Sequence, residues 1–192
     1  MEKIKLDKPF VFEGKEYTEI DLSGLENMTV QDAIDVQKAT AGEGGAALLL
    51  SANMAFAMRM AASAANEPVE FFKMLPMKAA NQVKTAVMNA MNGEAQADGK
   101  KLVLEKPAAY KDKQYKEIEF TGAAELCAMD MMKAENEIAA KGFATPLPQT
   151  NILYCCLIAA RASGMDKEFF TGLPLCETVK IRNVVNSEDF FG

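Results

Sequence analysis

The chain repeats itself at an offset of 98 residues, and this repeat limits its possible folds more than any other feature. Glu70-Phe71-Phe72-Lys73-Met74-Leu75-Pro76 returns as Glu168-Phe169-Phe170-Thr171-Gly172-Leu173-Pro174. The same offset, without a gap, places Leu6 on Leu104, Tyr17 on Tyr115, Gly24 on Gly122, Asp32 on Asp130, Asn53 on Asn151 and Val87 on Val185. Residues 6–94 hold 23 identical pairs, where ordinary residue usage would give about six. Self-similarity of this length marks one structural unit copied. The chain therefore reads as two tandem units, 1–95 and 96–192, with the small polar stretch 93–100 as the linker between them.

Each unit opens with two short alternating runs around a turn, Lys3–Phe12 with Tyr17–Leu22 and Leu102–Tyr110 with Tyr115–Phe120. That pattern predicts a β-hairpin. A lone hairpin is marginal in water, so the two either pair with each other or lie on helices. Thr29 is placed to cap a helix over Val30–Lys38, with Asp32 near its start, and the second unit predicts a longer helix at about Ala123–Ala140. Glycines and prolines at 41–45 and 141–148 predict loops. The most apolar stretches follow, Ala46–Ala65 and Thr150–Ser163, apolar nearly all round and so predicted to be buried central helices. Within them Leu49 and Leu147 are expected in the core, with Phe56 and Tyr154 in equivalent places. Asn53 and Asn151 are expected as buried amides with a structural hydrogen bond. Ala61-Ala62-x-Ala64 and Ala159-Ala160-x-Ala162 are small enough to let another helix approach. A short helix after Pro68 or Asp166 carries the phenylalanine pair and stops at Leu-Pro. A final helix runs about Met77–Asn92 or Leu175–Asn186. The fold class is α+β, predominantly α: two tandem copies of a β-hairpin plus about four helices, related by a pseudo-twofold or a screw-like step.

The chemistry available to this chain is narrow. It contains no histidine, which removes Ser-His and Cys-His nucleophile systems. It has no phosphate-binding glycine loop. Its four cysteines, Cys127, Cys155, Cys156 and Cys176, all lie in the second unit and form no Cys-x-x-Cys, so neither a zinc site nor a disulfide framework is expected. No cofactor and no enzyme activity are expected. The net charge of −6 comes without a basic stripe, which argues against nucleic acid. No apolar run reaches 18 residues, so no membrane span is expected, and the alternating amino terminus is no secretory signal, which makes the cytoplasm the default compartment.

Apolar surface remains as the carrier of function. The Phe-Phe pair beside a Leu-Pro stop is either core or, for one ring of each pair, an anchor for a partner groove. Adjacent positions on a helix point about 100° apart, so one phenylalanine of each pair is expected inside and the other outside. The candidate partner-binding residues are Phe71, Phe72, Leu75, Phe169, Phe170 and Leu173, with Phe190-Phe191 as a second possibility. The 13 methionines favour adaptable binding surfaces, because thioether chains are flexible.

The order of these segments resembles the small tail assembly chaperones of long-tailed bacteriophages. The likeness lies in the opening strand through Lys8-Pro9 to Leu22, an apolar helix ending in Ala-Ala-x-Ala, a phenylalanine helix, Leu-Pro and a terminal valine-rich helix; the stretch Leu157–Val185 is the most similar. The resemblance covers each half in turn. It implies a non-enzymatic protein of the bacterial host cytoplasm that binds the tape measure protein, assists tail tube assembly with the tail tube protein as a further partner, and self-associates. The alternative class is a structural minor tail or virion component.

Overall fold

The computed structural model describes residues 3–42, 53–93, 100–143 and 145–190. Within them the fold is α+β and predominantly α, with two separate two-stranded antiparallel sheets and eight α-helices. The first copy runs β1 (Lys3–Phe12), β2 (Lys15–Asp21), α1 (Val30–Gly42), α2 (Met54–Ala65), α3 (Val69–Lys73) and α4 (Met77–Met91). The second runs β3 (Lys101–Tyr110), β4 (Lys113–Glu119), α5 (Ala128–Ala140), α6 (Ile152–Ser163), α7 (Lys167–Thr171) and α8 (Thr178–Val185). Both strands of each hairpin, the first and second long helices and the phenylalanine helix recur at the sequence offset to the residue.

The hairpins do not pair with each other; β1 rests on α4 and β3 on α8. Each closes through a two-residue turn, Glu13-Gly14 or Lys111-Asp112. Glu13 at φ 48° and Gly14 at φ 79° have the positive φ values that a tight hairpin turn requires. The ladder is interrupted between Lys5 and Phe10, and again between Val103 and Ala108. Pro9 and Pro107 sit in these irregular stretches, where the missing N–H is tolerated.

The chain leaves each hairpin through Gly24 or Gly122, and these two glycines are needed for packing. A Cβ on Gly24 would lie 2.0 Å from the Ala64 carbonyl oxygen, and one on Gly122 would lie 3.0 Å from that of Ala162. The Gly122 amide donates to that carbonyl at 2.8 Å. The small ends of the central helices are thus approached by the hairpin exits, whereas the sequence pointed to a neighbouring helix.

The central helices start later than their apolar runs. Asn53 and Asn151 are their caps: Asn53 Oδ1 accepts from the Phe56 amide at 3.1 Å and Asn151 Oδ1 from the Tyr154 amide at 3.0 Å. The expected structural amide is present, but at the helix start. Satisfying an orphan N–H there stabilises the helix by about 1 kcal/mol. Residues 46–52 of the predicted first helix, Leu49 among them, lie outside the described residues. Leu147 is 39% exposed, not buried, because it sits in the turn before Pro148–Thr150 rather than on α6. Phe56 and Tyr154 are buried in equivalent places, as expected.

The last helices differ between copies. α4 is continuous, whereas its counterpart begins as a 3-10 turn, Leu175–Glu177, before α8. Two carbonyls at that start are engaged outside the α-helical ladder. Cys176 accepts from the Gly93 amide at 2.9 Å, and Leu175 accepts from Thr178 Oγ1 at 2.7 Å. The buried residues of both copies form one hydrophobic cluster.

Two outcomes follow. Phe56→Ala costs about 3–5 kcal/mol in chemical denaturation, the range for a fully buried ring. Gly24→Ala lowers the thermal midpoint well below that of Gly122→Ala, because only the first Cβ overlaps backbone.

Candidate partner-binding surfaces

The six candidate residues gather at two corners, one per copy, where a single-turn helix meets Leu-Pro. All six are buried: Phe71 and Phe72 are each 1% exposed, Leu75 7%, Phe169 8%, Phe170 0% and Leu173 2%. The expected outward ring is absent in both copies. The cause is that the short helix lies between two layers. On one side the hairpin covers it, with Phe71 packed on Phe10 and Phe12 at 5.6 Å and on Tyr17 at 4.5 Å between ring centroids. On the other side Phe72, 5.0 Å from Phe71, is fully enclosed, and α3 packs on α2. In the second copy Phe169 meets Tyr110 at 5.3 Å, and Phe170 stacks near Phe120 at 6.4 Å. Phe190 also packs on Phe120, at 5.3 Å, and is buried; Phe191 lies outside the described residues.

The second corner holds a further contact, made by the first copy. The Val30 amide donates to the Leu173 carbonyl, and the Leu175 amide donates to the Met28 carbonyl, each at 2.9 Å. This is a short antiparallel bridge centred on Thr29 and Pro174. It uses the first N–H of α1, a group that has no partner within its own helix. One face of α1 continues the contact. Gln37 Nε2 donates to the Thr150 carbonyl at 3.1 Å, and its Oε1 accepts from the Ile152 amide at 3.0 Å. The first copy thereby caps the central helix of the second. Asp32 secures the α1 start by accepting from the Thr29 amide at 2.7 Å and from Thr29 Oγ1 at 2.8 Å.

A buried ionic cluster fixes the same region from behind. Lys180, 3% exposed, donates to the Val103 carbonyl at 2.9 Å and lies 2.7 Å from Glu177 Oε2 and 3.3 Å from Glu105 Oε1. Glu177 Oε1 accepts from the Glu105 amide at 2.8 Å. The equivalent first-copy positions are Ala79, Gln82 and Asp7, so the cluster belongs to the second copy alone. It borders a groove of about 370 Å³ between the copies, lined by Leu25, Asn89, Glu105, Lys106, Pro174 and Cys176. Glu177 and Lys180 carry no signal in the sequence, because an i, i+3 acid–base pair is too common on helices to single out.

Nothing in this arrangement assembles reactive groups. Among the described residues, no cluster of three or more histidine, cysteine, aspartate or glutamate side chains could hold a metal ion. Burial pushes the Cys155 thiol up to about 12 and the Cys156 thiol well above its usual value. Among the described residues, no helix is long and apolar enough to cross a membrane.

A family model for phage tail assembly chaperone proteins (E, or 41 or 14) matches residues 3–92. The residues that resemble this family are those of the first copy. The match spans β1 through the end of α4, which is one copy of the repeat. No curated protein and no solved structure matches the chain. The resemblance read from the segment order is therefore met by the family, and tail proteins of a phage are the partner class that it brings.

Two measurements test the geometry. Alanine at Phe71, Phe72, Phe169 or Phe170 costs about 3–5 kcal/mol in every case, with no position behaving as a surface residue. At pH 8 a thiol reagent labels exposed Cys127 in the native chain. Cys155 and Cys156 stay protonated and covered, and label only after unfolding.

Proposed function

We propose that this chain is a non-enzymatic tail assembly chaperone that binds the tape measure protein of its phage and assists tail tube assembly in the host cytoplasm. The observation that carries the reading is the family match over residues 3–92. The second copy, repeating the same elements at the same spacing, supports a tandem form in which residues 1–95 and 96–192 are two such units. The lack of histidine supports a binding role over a catalytic one. In this reading Phe71, Phe72, Leu75, Phe169, Phe170 and Leu173 serve binding by holding the two Leu-Pro corners in shape. Their rings are the frame of a contact surface, and the exposed residues around them make the contact.

Co-expression with the tape measure protein tests this. The expected result is a stable co-purifying complex, together with absence of the chain from purified virions by mass spectrometry. A chain that remains in finished virions and leaves the tape measure protein unbound is a structural component instead.

A further inference from the structure

The two Leu-Pro corners are near copies, yet only one is used. The second accepts residues 28–30 of the first copy. The reciprocal contact would bring residues 126–128, the equivalents of 28–30, onto Leu75-Pro76-Met77. Among the described residues no hydrogen bond joins those segments. A closed pseudo-twofold would make both contacts. The chain makes one, and so leaves one surface of each kind unoccupied.

Exposure follows this division residue by residue. Leu175, in the occupied corner, is 2% exposed, whereas its equivalent Met77 is 72% exposed. Met74, beside it, is 64% exposed. On the donor side, Met28 is 9% exposed, Val30 0% and Ile34 3%. Their second-copy equivalents are partly buried Leu126, exposed Ala128 and Met132 at 54%, with Met129 at 56% in the same turn. Gln37, which caps α6, corresponds to exposed Glu135 on α5. Four of the six large hydrophobic side chains exposed among the described residues are Met74, Met77, Met129 and Met132. Met77 and Met132 are the equivalents of buried Leu175 and Ile34, whereas Met74 and Met129 flank them and have exposed equivalents, Gly172 and Gln31.

We propose that the chain self-associates head to tail: the start of α5 in one molecule docks on the Met74–Met77 corner of the next, as α1 docks on the second corner within each molecule. The Ala128 amide donates to the Leu75 carbonyl of the neighbour, and the neighbour's Met77 amide donates to the Leu126 carbonyl. Cys127 then faces Pro76. Made in one direction only, as it is within the chain, the contact leaves each molecule one free surface of each kind, so it propagates into a ring or a filament. The occupant is a second copy of this chain because the internal bridge supplies a worked example of the fit. The proposal does not depend on the identity of the client protein.

The test uses the native thiol. In the internal bridge the hydrogen bonds flank Thr29 and Pro174, which makes them a non-hydrogen-bonded pair. Such pairs have Cα atoms about 4.5 Å apart, within the roughly 4.4–6.8 Å span of a disulfide. The full chain carrying Pro76→Cys, oxidised with copper(II)–phenanthroline, should give a ladder of dimers, trimers and longer species on a non-reducing gel. Adding Cys127→Ser should abolish the ladder. In parallel, the unmodified chain should sediment faster as its concentration rises a hundredfold, and Met77→Glu should weaken association at least tenfold while keeping the thermal midpoint. A ladder that depends on Cys127 supports the proposal. A disulfide formed only within one molecule overturns it, as does a chain that stays monomeric at every concentration. Protection of Cys127 from alkylation by the tape measure protein alone, without self-association, assigns the surface to the client and also overturns it.

Discussion

Two backbone hydrogen bonds between residues 28–30 and 173–175 set the relation between the copies, and much of the molecule is arranged to place them. Each partner segment is held by its own copy before the two meet. Thr29 and Asp32 fix the start of α1. The Leu-Pro stop fixes the other strand, because proline expels its predecessor from helical space and the buried phenylalanine helix in front of it cannot shift. Pre-ordered segments lose little entropy when they pair, so a contact of a few residues can orient two units of this size.

The sequence made the repeated parts legible for reasons the structure explains. Gly24 and Gly122 recur because a hairpin exit passes against a helix carbonyl in both copies. Asn53 and Asn151 recur because each central helix needs a cap, although their position inside an apolar run hid that they mark its boundary. The phenylalanine pairs recur because both rings are enclosed. Helical angle alone put one of them outside, since the covering hairpin comes from about fifty residues away and leaves no local signal. Leu147 misled for the opposite reason: an apolar residue identical at the repeat offset sits in a turn where it stays 39% exposed. The differences between copies were the least legible. Met77 and Leu175 are equally apolar, and only tertiary packing decides that one is covered and the other is not.

Those differences separate what the two copies do. The second copy has a cluster of Glu105, Glu177 and Lys180 behind its corner, and its final helix starts with a 3-10 turn in which the Cys176 carbonyl accepts from Gly93 of the first copy. A buried ion pair contributes little net stability when intact and is costly to break, so the cluster acts on geometry more than on total stability. The first copy, matched to the tail assembly chaperone family, keeps an open corner rimmed by flexible methionines. A chain in which one copy closes on its neighbour while the other stays open is suited to repetition.

The most direct measurement of this account is hydrogen exchange read at four amides across a range of protein concentration. The amides of Val30 and Leu175 are predicted to exchange slowly at every concentration, since their carbonyl partners lie in the same molecule. The amides of Ala128 and Met77 are predicted to exchange quickly in dilute solution and to slow together as concentration rises. If Ala128 and Met77 exchange at the same rate throughout, the free surfaces are not partners and the head-to-tail account is wrong.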